Sequence, residues 1–463
     1  MTWSLRAAVV VLSGCARAAE GPPPDVILAA VNVVDVISGQ VQRGVDVSIT
    51  GRIITSVAPA AAKPRAATVI EARGLYLIPG LWDMHVHIAA MPGTSEVFLP
   101  AMVGYGVLGA RDTHSNLDSV VAAKRAIAAG SRVGPRLFGS GELVDGANSV
   151  NPSARRVTTE AEARAQVRAL KEGGADFVKV YSALSRDLYF AIVDEAKRAG
   201  IPYAGHVTPT VTALEASNAG QRTFEHMIGV EAGTSRDEAA ILAENWSAVA
   251  KKTFKWADAG RIRATSDSAK TTALFGAFVR NETWQVPTLI VSRQIGSLVD
   301  GVPAAVPADR FIGPAVRGMW AAMGSMGAFV KGVHDLHPLD LELVGKMYQA
   351  GVPILAGTDF PNPYVYPGAS LHEELALLVK AGLPTAAALR AATSEPARFL
   401  GLSDSLGTVT AGKVADLVLL AADPLADIGN TTAIRAVIQG GRVLDRAELD
   451  RLLAGAEAAA KKL

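Results

Sequence analysis

The sequence predicts an α/β protein, a (β/α)8 TIM barrel carrying a small β-sandwich built from both chain ends. Three observations lead there. Between residue 81 and about residue 400, short apolar runs alternate with amphipathic helical stretches, and eight such units favour a closed parallel barrel over an open sheet. The two ends share a different texture, period-two alternation broken by glycine, which reads as short antiparallel strands. No glycine-rich dinucleotide fingerprint follows the first strand of the middle region, which argues against a nucleotide-binding sheet.

In chain order, residues 1–22 read as an export segment. A short, weakly basic start precedes the apolar run Ala7 to Leu12, and Leu12-Ser13-Gly14-Cys15 resembles a bacterial lipobox with Cys15 as the lipid-anchored residue. The competing reading takes Ala16-Arg17-Ala18 as an ordinary signal cleavage site, and a misassigned start would leave the protein cytoplasmic. Export implies a periplasmic or membrane-anchored bacterial protein. Residues 23–79 alternate as strands, with turns at Gly51-Arg52 and Gly74. Residues 404–445, through Ala415 to Leu420 and Ile434 to Ile438, match them. Neither piece can bury a good core alone, so the two are expected to pack together as the sandwich.

Residues 80–403 form the expected barrel. Its strands fall at Leu81–Ile88, Val107–Asp112, Pro135–Ser140, Phe177–Tyr181, Pro202–His206, Arg222–His226, Gln285–Val291 and Pro353–Asp359. Helices are expected at Leu117–Ala129, Thr159–Glu172, Ser185–Ala199, Val211–Asn218 and Leu339–Ala350. Residues 230–284 and 296–338 are long insertions, the first with a helix over Ala239–Ala259, suited to capping the site or to oligomer contacts. Residues 446–463 form an alanine-rich surface helix.

Composition narrows the partners. Forty-five basic residues balance forty-four acidic ones, so no net charge draws the chain to nucleic acid or an anionic membrane. A single cysteine excludes an intramolecular disulfide and a cysteine-rich metal site. Beyond the N-terminal segment no run is long and apolar enough for a membrane helix.

His85-Val86-His87 is the strongest chemical signal, because side chains two apart on a strand point the same way. His206 and His226 also end strands, and Asp359 closes the eighth. Barrel strands converge at their C-terminal ends, so these side chains would meet there. Imidazole and carboxylate donors suit a borderline divalent cation such as zinc. Tyr181, two residues past Lys179, is a candidate donor to a substrate carbonyl. His114 is a candidate for the site mouth, and Tyr364 and Tyr366 follow Asp359 closely enough to contact substrate. His372 and Glu373 read as helix-start or supporting residues. His334 and His337, in an insertion, read as unrelated to the metals.

With these motifs in view, the chain resembles the amidohydrolase superfamily, in the imidazolonepropionase-like and prolidase-like branch. The resemblance spans residues 26–445. It is carried by Leu77 to His87, Gly174 to Tyr181, Ala204-Gly205-His206, Phe224-Glu225-His226, Gly357-Thr358-Asp359, His372 to Leu375 and Gly412 to Leu419. It implies two divalent metal ions, with His85, His87 and Asp359 on the buried one and His206 and His226 on the outer one. Lys179 would bridge them as a carboxylated amine, since an unmodified ammonium would repel cations. A hydroxide between the ions would attack, with Asp359 shuttling its proton. The resemblance also implies a small-molecule or dipeptide-like substrate, and barrels of this type are often at least homodimers. The chain departs from peptidase members that carry a Gly-Gly-His segment after the third strand, having Gly139 to Gly146 without a histidine. The expected reaction is hydrolysis of a C–N amide bond in dipeptides or N-acyl amino acids. The alternatives are lactone or ester hydrolysis and, more remotely, a non-catalytic metal- or ligand-binding lipoprotein.

Overall fold

The computed structural model describes residues 23–253 and 256–463. The export segment and Cys15 therefore lie outside the described residues. Strands from both chain ends, Val26–Asp35, Gln40–Thr50, Ile53–Pro59, Thr68–Glu71, Tyr76–Pro79, Leu417–Leu420, Ile434–Gln439 and Arg442–Asp445, hydrogen-bond into one sheet. The seam is antiparallel, Leu417 opposite Pro79 and Leu420 opposite Tyr76. The sheet's far edge returns to the C-terminal segment, where Ile54 N donates to Lys413 O at 2.8 Å. Val31, Val47, Ile49, Leu77, Leu417 and Ile438 pack together inside it. Burying these apolar faces against each other is what makes two short terminal segments stable as one body.

The middle of the chain holds two parallel sheets. One joins Leu81–Val86, Val107–Asp112 and Arg136–Gly139. The other runs through Val178–Val180, Tyr203–Gly205, Thr223–Glu225 and Trp284–Val286, with Val144–Gly146 and Arg155–Val157 added at one edge. Segment 353–360 lies between them, with parallel bridges Gln285–Ile354 and Val86–Phe360. At the other side, Asp176 N donates to Gly139 O at 2.8 Å. Helices return the chain between strands. In Glu160–Glu172, a Thr159–Glu162 capping box starts the helix, and Ala163, Val167 and Leu170 form its buried stripe.

Several expected boundaries move. The strand read over Gln285–Val291 stops at Val286, because Thr288 turns left-handed (φ 48°) and the helix Leu289–Ser297 begins. Segment 353–359 makes single bridges rather than a continuous strand. The insertion at 230–284 contains Ser268–Arg280, the helix that returns to Trp284–Val286, and its earlier helix is Glu238–Ala250. The helix expected from Leu339 starts at Gly327 and runs through Pro338 to Gln349. The last helix, Arg446–Ala460, is not purely a surface element. It buries Leu449, Leu453, Ala456 and Ala460, and Leu453 lies where a Cβ on Gly104 would be, 2.5 Å away. Among the described residues no helix is long and apolar enough to cross a membrane.

Candidate metal centre

The C-terminal ends of the parallel strands bring His85, His226 and Asp359 together, each with one ligand atom within 4.8 Å of the others. His87 joins them, with Nε2 2.7 Å from Asp359 Oδ1, and His85 Nε2 is 3.3 Å from the same oxygen. His226 Nε2 is 3.7 Å from Asp359 Oδ2, and the His206 ring centroid is 5.0 Å from that of His226.

Each imidazole is held by its other nitrogen. His85 Nδ1 meets Glu225 Oε2 at 2.7 Å and His87 Nδ1 meets the His114 carbonyl at 3.0 Å. These acceptors place a proton on Nδ1 and turn Nε2 toward Asp359, to whose carboxylate His87 Nε2 donates. His206 Nδ1 pairs with Ser182 Oγ at 2.8 Å, and His226 Nδ1 with Thr288 Oγ1 at 2.6 Å. Four rings from three strand ends thus share one orientation, Nδ1 outward and Nε2 turned to the centre.

Electrostatics agree. Burial, then the Lys179 charge, hold the His206 ring well below its ordinary range, and burial pushes His226 down to about 3. Both are neutral donors. Burial works against protonating His87, but its hydrogen bond to Asp359 and the charges of Asp359 and Asp112 together outweigh this and the ring is raised. Burial also opposes ionisation of Asp359, yet the surrounding imidazoles hold it well below the usual carboxylate range. Lys179 is the anomaly. Its side chain is 1% exposed, its Nζ has no hydrogen-bond partner, and burial pulls its pKa down to about 8. A buried amine without an acceptor is costly, and carboxylation would turn it into a metal-bridging anion.

Local backbone conformation serves the same end. His226 and Asp359 both have φ 63°, in the left-handed region that non-glycine residues seldom adopt. Gly205, beside His206, has φ 136°, and a Cβ there would stand 2.1 Å from the Val180 carbonyl oxygen, so only glycine fits.

The structure sets Tyr181 against His206, ring centroids 4.1 Å apart. His114 has both nitrogens engaged, accepting from Leu143 N at 3.1 Å and facing Ser153 Oγ at 2.9 Å. Burial lowers its pKa to about 3. Tyr364 and Tyr366 pack on Trp320 of the inserted helix Pro314–Gly324, and Trp320 Nε1 donates to Pro361 O at 2.6 Å. His372 binds the Tyr105 carbonyl and Thr431, Glu373 pairs with Arg293, and His334 and His337 bind Gly296 O and Ser292 outside the cluster.

Sequence reasoning gave no role to Glu225. It accepts from Arg111 Nη2 at 2.6 Å with both side chains essentially unexposed, and Arg111 also donates to Met84 O and Thr223 Oγ1. Asp83 was also missed; it accepts from Thr358 Oγ1 at 2.6 Å and from the amides of Thr358 and His85. A buried arginine one residue before Asp112, and glutamate directly before His226, were the available signals.

The family model described as the amidohydrolase family matches residues 76–444. Among solved structures, a bottromycin amidohydrolase is 25% identical, over 94% of this chain and 90% of that one, with a TM-score of 0.70. A Xaa-Pro dipeptidase with methionine bound in its active site shares the fold at 20% identity, over 91% of this chain and 99% of that one, with a TM-score of 0.69. An adenine deaminase of Rhizobium meliloti (strain 1021) is 42% identical over 83 residues, 18% of this chain and only 14% of that enzyme's length.

Proposed function

The chain belongs to the amidohydrolase family and is a metal-dependent hydrolase; from that premise we propose that it cleaves a C–N amide bond in dipeptides or N-acyl amino acids. In this reading the two parallel sheets and segment 353–360 close into one (β/α)8 barrel, and the terminal sheet, folded over on itself, plays the part of the sandwich. The bonds at Gln285, Val86 and Gly139 support closure. His85, His87 and Asp359 would hold one divalent cation and His206 and His226 a second, with Lys179, once carboxylated, supplying a further anionic ligand. Nitrogen and oxygen donors at these positions suit zinc.

When bound there, the cations would bring a water pKa from 15.7 to roughly 7 and polarise the scissile carbonyl. Asp359, held ionised by the surrounding imidazoles, accepts the attacking water's proton at a carboxylate oxygen and returns it to the leaving nitrogen. Glu225 and the His114 carbonyl keep His85 and His87 in the ligating tautomer. Tyr181, packed at a tilt against His206, donates to the substrate carbonyl. The observation that carries the proposal is the convergence of oriented histidines and an ionised aspartate on one point beside an unpaired buried lysine. The likeness to the bottromycin amidohydrolase supports an amide as the bond cleaved.

The test is a screen of dipeptides, N-acyl amino acids and lactones with zinc-loaded protein, read against D359N. Amide cleavage is expected, reduced by about 10²–10⁴-fold in the variant. Turnover confined to lactones would replace the amide reading with the esterase one.

A further inference from the structure

Glu374 lies outside the ligand set, in the helix Ala369–Lys380 that follows the Asp359 loop. It is fully buried, and its two carboxylate oxygens accept from the first amides of another helix, Leu289–Ser297: Leu289 N at 3.1 Å and Ile290 N at 2.7 Å. The second of them, Ile290 N, is one that the residue preceding the helix ordinarily satisfies, and threonine is well suited to that task. Thr288 occupies that position but makes no cap to its own helix. Its hydroxyl instead lies 2.6 Å from His226 Nδ1. The threonine is held in a left-handed conformation (φ 48°), unusual for a β-branched residue, and His226 N donates to Val286 O two residues before it.

We propose that Glu374 is a positioning residue for His226: by capping the helix Leu289–Ser297 from a distance, it frees the Thr288 hydroxyl to orient the histidine of the outer metal position. The inference rests on the two-cation reading above. It explains why a carboxylate is buried at this helix start when a threonine already stands there. It also ties the histidine to the helix that leaves the Asp359 loop, so both sides of the centre are braced by one contact. The Arg293–Glu373 ion pair links the same two helices one turn further along.

The test measures cobalt and zinc per chain after dialysis, and the visible spectrum of the cobalt protein, for wild type, E374Q, T288V and T288S. Wild type is expected to hold two ions. E374Q and T288V should keep the first and bind the second about 10–100-fold more weakly, the usual cost of losing a group that orients a ligand. T288S, which retains the hydroxyl, should restore it. E374D reaches only one amide, so it should show an intermediate loss and replaces E374Q should that variant not fold. A glutamate variant that loses thermal stability yet keeps both affinities and an unchanged cobalt spectrum would overturn the proposal. Wild-type protein that takes up no ion would instead sink the two-cation reading itself.

Discussion

Replacing Lys179 with methionine should make the metal-free protein more stable while abolishing its activity. Burial lowers the lysine from its ordinary 10.5 to about 8, and its Nζ has no partner. An amine whose pKa is lower folded than unfolded destabilises the fold at every pH below the folded value. The penalty fades as pH rises from about 8 to 10.5, where the unfolded chain also loses its proton. At neutral pH the fall corresponds to roughly 3 kcal/mol, and methionine, of similar length and apolar, removes it. With an unfolding entropy of about 2.1 cal/mol/K per residue, a chain of this size gains about 1 °C per kcal/mol, so K179M should melt about 3 °C higher. The assay is calorimetry of chelator-treated protein at pH 7 and pH 10, where the advantage should have shrunk. Zinc content and amide hydrolysis, measured in parallel with bicarbonate present, should both fall in the variant. A metal-free K179M that melts below wild type would refute the reasoning, because it would make the ammonium a structural asset rather than the precursor of a ligand.

Two further perturbations probe the layer beneath the ligands. R111M strips Glu225 of its guanidinium partner and leaves Met84 O and Thr223 without a donor, breaking a buried pair at a cost of about 3–5 kcal/mol. Thermal unfolding should fall by a few degrees, with weaker zinc retention; an unchanged melting temperature would deny the pair its bracing role. Asp83 is pushed up to about 7 by burial, so the folded protein holds a proton that the unfolded chain releases near pH 4. Stability of the metal-free protein should therefore decline as pH rises from about 4 to 7, and D83N should flatten that slope in a series of melts across the window.

The clustered residues were legible because chemistry and period coincide. His85-Val86-His87 is a pair that a strand aligns, and His206, His226 and Asp359 stand at the ends of neighbouring parallel segments. Neighbouring residues on a strand normally face opposite ways, and that rule hid Glu225 behind His226. The left-handed turn at His226 (φ 63°) breaks the alternation, letting Glu225 reach His85 while His226 reaches Asp359. The apolar run after Gln285 misled for a related reason. Val286-Pro287-Thr288-Leu289-Ile290 has strand composition, but a carboxylate from residue 374 caps a helix at Leu289, a contact no local pattern reports. Long-range capping and positive φ at non-glycine residues are products of the assembled fold.

The same contacts divide the labour within the site. Below the ligands, Arg111, Glu225, Asp83, Thr358 and Glu374 are buried and join one strand end or helix start to another. A substitution there alters metal binding before it alters substrate choice. Beside them, Trp320 of Pro314–Gly324 rests on Tyr364 and Tyr366 and donates to the Pro361 carbonyl two residues past Asp359. The packing of the inserted helix on the loop after Asp359 can therefore vary without touching the strand ends that carry the histidine cluster.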